Sequence, residues 1–326
     1  MSDLCSPFYL ANLKLPNNVF YAPLAGCSDL PFRRMVLPFR PGLIFCEMVK
    51  MEALLCCDFG AFRLLDYEKD MHPIGAQLVG CNTAYAGEAS RIIEDLGFDL
   101  IDLNCGCPVD KVTRDGSGSK MLKNPELIGE IIAKIVSAVK IPVSLKIRAG
   151  WDDQTINASE ITRIAEAAGA CLITVHGRTR QQGYKGPANW DYIKDCKQAA
   201  QSIKVFGNGD IFDAPDARRM FEHTKCDGVL VARGTLGKPW IVEDICRELK
   251  KEEVVPRGID DFKRAFLRHF SFCLDYYSER KSVVFARKLG CWYFKKDKAA
   301  RAFRSAIARV KTKEEVYSLL ENIFEA

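Results

Sequence analysis

The chain has 326 residues, 48% of them apolar and 27% charged, with a net charge of +5; this is an ordinary globular make-up, longer than most single domains. No run approaches the roughly 18 unbroken apolar residues of a membrane span, and the opening MSDLCSPFYLANLKLP has no basic segment leading into an apolar core, so a cytoplasmic protein is expected rather than a secreted or membrane one. Fourteen cysteines are scattered without any C-x-x-C and do not cluster with the four histidines, which argues against a disulfide framework or a bound metal and for reduced thiols used as small core residues.

In chain order, short apolar runs at 19–22, 43–46, 74–78, 100–103, 143–147, 172–175, 205–207 and 228–231 read as eight strands. Helix-like segments separate them, among them 82–96, 125–139, 158–168, 190–199 and 214–222. Apolar runs without strict polar alternation, spaced by helices, predict parallel strands covered on both faces. Eight such units predict a closed (β/α)8 TIM barrel with functional residues at the C-terminal strand ends. An open doubly wound sheet would carry G-x-G-x-x-G after an early strand, and neither GSGSKM at Gly116 nor GNGDIF at Gly207 fits that pattern.

The texture changes near Glu252. Val255-Pro256-Arg257-Gly258 reads as a linker, and helical spacing at 260–277, 282–295, 298–310 and 313–324 predicts a small all-helical C-terminal domain. The expected division is a barrel over 1–250 and a helical domain over 251–326. Charge divides there too. From Ile245 onward 19 basic residues face 12 acidic ones, and between Arg280 and Lys313 the tally is 12 to one. Such a local excess is the footprint of a polyanion-binding surface. Arg287, Lys288, Lys295, Lys296 and Lys298 are its candidates, interleaved with Trp292, Tyr293, Phe294 and Phe303, whose helical spacing fits core better than base stacking.

Several strand ends carry residues suited to chemistry. Lys146, in SLKIRAG, lies inside a buried strand, where lysine is rare unless paired, and Arg148 should share its orientation by alternation. Gly207-Asn208-Gly209-Asp210 and Ala232-Arg233-Gly234 end the seventh and eighth strands, where glycine turns ahead of helices form a phosphate site. That site suits a flavin mononucleotide and a sugar phosphate equally, with Arg233 as a bidentate partner. The loop LNCGCPVDKVTRDGSGSKMLKNP, from Leu103 to Pro125, presents two thiols and a basic, glycine-punctuated segment. Lys111 in it is either a phosphate contact or solvated.

GCP followed by KV, GSGS and a basic-Asn-Pro close resembles the signature of the tRNA-dihydrouridine synthases. Ala22-Pro23-Leu24-Ala25-Gly26 with Asp29-Leu30-Pro31-Phe32-Arg33, GAQLVG, SLKIRAG and His176-Gly177-Arg178-Thr179-Arg180 resemble further motifs of that family in the same order. The resemblance implies an enzyme that reduces uracil bases in tRNA using FMN, with NADPH or NADH as reductant. It implies that Pro23, Leu24 and Ala25 lie against the flavin, Leu24 standing where the family has methionine. Gln77 and His176 would contact the cofactor, as would Lys146, Asn208, Gly209, Asp210, Ala232, Arg233 and Gly234. Cys107 would be the acid that protonates the base, while Asn104, Arg148 and Arg178 would face substrate. Cys105 reads as structural. No protein partner is expected, and the chain should act as a monomer.

Two other readings fit parts of the sequence. A flavin barrel acting on a small molecule explains Lys146, His176 and the glycine turns but leaves the basic helices without purpose. A degenerate barrel that only binds RNA explains the helices but not the intact Cys107.

Overall fold

The computed structural model describes residues 4–295 and 298–324. A short antiparallel hairpin, β1 (Phe8–Leu10) and β2 (Leu13–Leu15), precedes eight parallel strands. These are β3 (Val19–Tyr21), β4 (Ile44–Lys50), β5 (Ile74–Val79), β6 (Leu100–Cys105), β7 (Val143–Arg148), β8 (Leu172–His176), β9 (Lys204–Asn208) and β10 (Gly228–Val231). They run in the order β3-β10-β9-β8-β7-β6-β5-β4. The ring closes between β3 and β4 through one parallel bridge, Phe20 to Leu43, with Tyr21 N–H donating to Leu43 O at 3.1 Å and Gly42 N–H to Val19 O at 2.9 Å.

All eight expected strands are present, because each was long and apolar enough to be buried on both faces. Their outward residues, such as Ile101, Leu145 and Val175, pack against the surrounding helices. The inward residues follow period two and change character with height. At the N-terminal end they are apolar: Phe20, Leu100, Leu172, Phe206 and Leu230 pack with Leu10 and Leu15 of the hairpin, which plugs the barrel floor. Two residues further along, the same faces carry Asp102, Thr174 and Asn208, all buried. The barrel is thus dry below and polar above.

Helices connect the strands, and their starts are written locally. Asn124 caps the helix Pro125–Ala138, and an Asp213/Asp216 capping box opens Ala214–Thr224. The helix Ile241–Lys250 packs on the barrel, and residues 252–258 carry neither helix nor strand.

Four helices follow, Ile259–Tyr276, Glu279–Tyr293, Lys298–Ile307 and Lys313–Phe324. Phe266, Phe270, Tyr293, Phe294 and Phe303 form their core, together with Met35 and Trp240 from the barrel side. The helical domain therefore sits on the loops after β3 and β10. Lys288 donates to Gly26 O, and Lys295 Nζ donates to Leu236 O at 2.9 Å. Gly237, at φ +80°, passes so close that a Cβ there would lie 2.0 Å from Trp292 O, so only glycine fits that crossing.

Candidate active site

A cavity of about 400 Å³ opens at the C-terminal ends of the strands. Gln77 and Asn104 line its floor, and they belong to a chain of side-chain hydrogen bonds that runs beneath it across three adjacent strands. Ser144 Oγ donates to Asp102 Oδ1 at 2.6 Å, Gln77 Nε2 donates to Asp102 Oδ2 at 2.7 Å, and Asn104 Nδ2 donates to Gln77 Oε1 at 2.8 Å. Asn104 Oδ1 in turn accepts from the amides of Gly106 and Cys107 at 3.1 and 2.9 Å. Strand register makes this possible, since Gln77, Asp102 and Ser144 are direct neighbours across β5, β6 and β7.

Burial pushes the Asp102 carboxyl up to about 6, against the opposing pull of its Gln77 and Ser144 hydrogen bonds and of Lys146. Its value is raised above the ordinary 3.8, so the folded state holds the proton longer than the unfolded one. Burying the carboxylate thus costs stability above about pH 6, and that cost fades as pH falls toward 4. Asp102→Asn is expected to gain stability relative to the parent above pH 6, by at most about 3 kcal/mol, and to lose that advantage by pH 4. Urea unfolding across this range tests it; a pH-independent difference between the two proteins would remove the assignment.

Above the floor the walls are cationic. Lys146 reaches the cavity from β7, its ammonium lowered to about 8 by burial and then by Arg148, against the pull of Asp102 and Cys107. Arg148 is held by three carbonyls, Nε to Gly106 O and Nη1 to Thr179 O and Gly183 O, each at 2.9 Å. His176 is pushed well below its ordinary value by burial and then by Lys146, Arg148, Arg178 and Arg233, so it is neutral at pH 7 and can hydrogen bond without adding charge.

Two glycine turns line the side next to β9 and β10. Gly209 has φ +118°, and a Cβ there would lie 2.9 Å from His176 Cδ2, so the turn can pack on the imidazole only as glycine. Asp210, at φ +55°, is fixed by Arg178 at 2.7 Å, Arg233 at 3.1 Å and the Ala188 amide at 2.8 Å. Among the described residues, the amides of Gly209, Asp210, Arg233 and Gly234 donate to no backbone or side-chain acceptor, which leaves them for an anion.

The loop after β6 carries Cys107 on the opposite wall. Its amide is tied to Asn104 and its carbonyl accepts from Ser119 N–H at 3.0 Å, so the half-exposed thiol is presented from a fixed backbone. Tyr184, Phe212 and Val109, all exposed, rim the opening.

Of the residues singled out in the sequence, Pro23, Leu24, Ala25, Gln77, Asn104, Cys107, Lys146, Arg148, His176, Asn208, Gly209, Asp210, Ala232, Arg233 and Gly234 all line this one cavity. Some are placed for other work than expected. Arg178 lies behind the wall, 3% exposed and bound to Gly186 O and Asp210, so it braces the turn rather than facing substrate. Asn104 uses its amide within the protein and acts as a strut for the Cys107 loop instead of a free base-reading edge. The Asp210 carboxylate is likewise engaged by two arginines. Lys111 is exposed on the short helix Asp110–Thr113, outside the cavity. Arg287 donates to Val310 O at 2.7 Å, while Lys288 and Lys295 reach barrel carbonyls. Lys298 begins the third helix of the C-terminal domain, and Lys296 lies outside the described residues. Cys105 is fully buried.

Asp102 and Ser144 went unread in the sequence. The available signal was an aspartate inside the apolar run LIDLNC, which a buried strand tolerates only with partners.

A closed parallel barrel with a polar, cation-walled cavity at the C-terminal strand ends defines a barrel enzyme. The family model described as dihydrouridine synthase (Dus) matches residues 20–326. The chain is 39% identical over 300 residues to a probable tRNA-dihydrouridine synthase of Rickettsia bellii, covering 91% of this chain and 92% of that protein. It is 34% identical to tRNA-dihydrouridine synthase B of Vibrio cholerae, covering 97% and 98%. This chain belongs to the dihydrouridine synthase family. Among solved structures, histamine dehydrogenase from Rhizobium sp. 4-9 superposes with a TM-score of 0.60 at 15% identity, covering 83% of this chain and 51% of that one. TcOYE with pHBA gives 0.58 at 13% identity over 80% and 96%. These two share the fold.

Proposed function

We propose that this protein reduces uridines in tRNA to 5,6-dihydrouridine, with FMN as the bound cofactor and NADPH or NADH as the reductant. It would act as a cytoplasmic monomer; among the described residues no helix is long and apolar enough to cross a membrane. The observation that carries the reading is the meeting of Cys107, Lys146, Arg148 and two glycine turns around one cavity in a chain of this family.

The residues fit FMN. The free amides of Gly209 and Gly234, with Arg233 beside them, suit a phosphate at helix and turn N-termini. Pro23, Leu24 and Ala25 offer an apolar wall for a flat ring, while Gln77, Lys146 and neutral His176 offer polar contacts to its edge. When bound and reduced, a flavin supplies the hydride that adds to carbon 6 of uracil.

The protein supplies the rest. Cys107, whose thiol lines the cavity, gives the proton to carbon 5 as the general acid. Gln77 and Asn104 fix the loop that aims it, and Arg148 adds positive charge to the cavity wall. The basic helices, docked beside the opening through Lys288 and Lys295, would hold the RNA backbone.

The test is the visible spectrum of the purified protein with NADPH, followed by unmodified tRNA. A flavin spectrum that bleaches with NADPH and recovers without oxygen only when tRNA is added is the expected result. A colourless protein would overturn the reading, and so would a yellow one that tRNA leaves bleached.

A further inference from the structure

Three cations converge on one indole at the rim of the barrel. Lys120 Nζ, Lys123 Nζ and Arg180 Cζ lie 5.1, 4.4 and 4.8 Å from the centroid of the Trp151 ring. They come from separate stretches: the turn Gly118–Lys123 that continues the Cys107 loop, and the loop after β8, with Trp151 itself in the loop after β7. Backbone bonds lock the last two loops together, Arg180 N–H to Gly150 O at 3.0 Å and Gln181 N–H to Trp151 O at 2.9 Å.

The charge of this cluster is poorly balanced. Asp110 pairs with Arg180 at 2.7 Å, but its side chain is 81% exposed. Among the described residues Lys120 and Lys123 have no ion pair, and the buried Nε of Arg180 has no hydrogen-bond partner. Asp152 lies next to Trp151, yet its carboxylate accepts from Gln154 and Thr155 of its own loop. An aromatic face attracts each cation by about 0.5–1 kcal/mol at exposed sites. Three like charges held around one ring repel one another, so the arrangement favours an anion that joins them.

Its position says which anion. Around the ring of eight, β7 is four strands from β3 in either direction. The Trp151 platform therefore stands diametrically across the cavity from the loop after β3, where Lys288 of the helical domain is bonded to Gly26. Anything polyanionic lying over the opening meets positive charge on both sides.

We propose that Lys120, Lys123 and Arg180, gathered on Trp151, bind a backbone phosphate of the RNA substrate and form a second anchor opposite the helical domain. The proposal rests on the RNA-reducing function above. With both anchors engaged, the strand bearing the target base is held on either side of the opening, which presents that base to Cys107.

The test uses the holoenzyme and unmodified tRNA, with affinity read by fluorescence anisotropy across salt concentrations. Lys120→Gln with Lys123→Gln should raise the Kd about 10-fold at low salt and flatten the slope of log Kd against log salt by about 0.7–0.9 per lysine. A control, Lys14→Gln with Lys140→Gln, removes the same charge from exposed sites in the floor hairpin and just before β7, at the other end of the barrel. An equal loss in the control would reduce the effect to long-range charge and overturn the anchor, as would an unchanged salt slope in the first variant. A rise in the apparent KM for NADPH in place of weakened RNA binding would assign the platform to the dinucleotide and overturn the proposal. A parent enzyme that binds tRNA tightly but never reduces it would sink the functional reading alone and leave the anchor standing.

Discussion

Cys107→Ala is expected to lower uridine reduction by about 10²-fold or more, the scale of a lost general acid, while the protein stays yellow and still bleaches with NADPH. The structure makes the separation clean. The Cys107 backbone is held by its amide bond to Asn104 and its carbonyl bond to Ser119, neither of which uses the thiol. Removing one sulfur from a half-exposed site therefore leaves the loop, the cationic wall and the glycine turns in place. The discriminating measurement is the anaerobic recovery of the bleached enzyme on adding tRNA. Slow recovery with normal bleaching supports the proton-donor role; recovery at the parent rate would take that role away from Cys107.

The second large effect is expected at Lys146. Lys146→Gln should slow bleaching by NADPH by about 10²-fold, because a preorganised charge in a dry site contributes that much when it faces charge developing in the reaction. Lys146→Arg keeps the charge and should recover part of the rate. The ammonium is lowered to about 8, so it is charged below that pH and lost as pH rises through it. Bleaching by the parent should therefore fall above about pH 8, and the arginine variant should lack that limb. A glutamine variant that bleaches normally, or the same high-pH limb in the arginine variant, would dissociate Lys146 from the step.

What the sequence made legible follows from which interactions are local. The eight barrel strands were readable because burial on both faces leaves apolar runs of the right length. The hairpin Phe8–Leu15 was not, since its two strands each run from half-buried through exposed to buried, where the equally short β3 is buried throughout. β4 runs on to Lys50 rather than stopping near Cys46, past a register shift that a linear pattern does not display. The cavity residues were readable one at a time at strand ends. The Asp102 network was not, because its partners Gln77 and Ser144 lie 25 and 42 residues away and meet it only through strand register.

The basic helices show another limit. Counting charges treats every arginine as surface. Arg287 and Arg304 instead donate to Val310 O and Phe294 O, satisfying carbonyls just past the ends of neighbouring helices. Part of the local charge excess is thus structural. Arg148 and Arg178 look alike in sequence, yet only Arg148 sits on a strand whose alternation turns it inward.

The single bridge between β3 and β4 gives the barrel a weak seam, since every other neighbouring pair is joined by a longer ladder. The connection across that seam contains the helix Leu30–Val36, which packs against Ile259–Tyr276, with Met35 inside the helical domain's core. Tyr277 Oη, just past that helix, reaches back to Asp29 at 2.9 Å. The C-terminal helices thus fasten the hoop where it is least stitched. Cutting the chain after Lys250 would not free a self-sufficient barrel. It would open β3 and β4 to fast amide exchange while the far side, around β6 and β7, stayed protected.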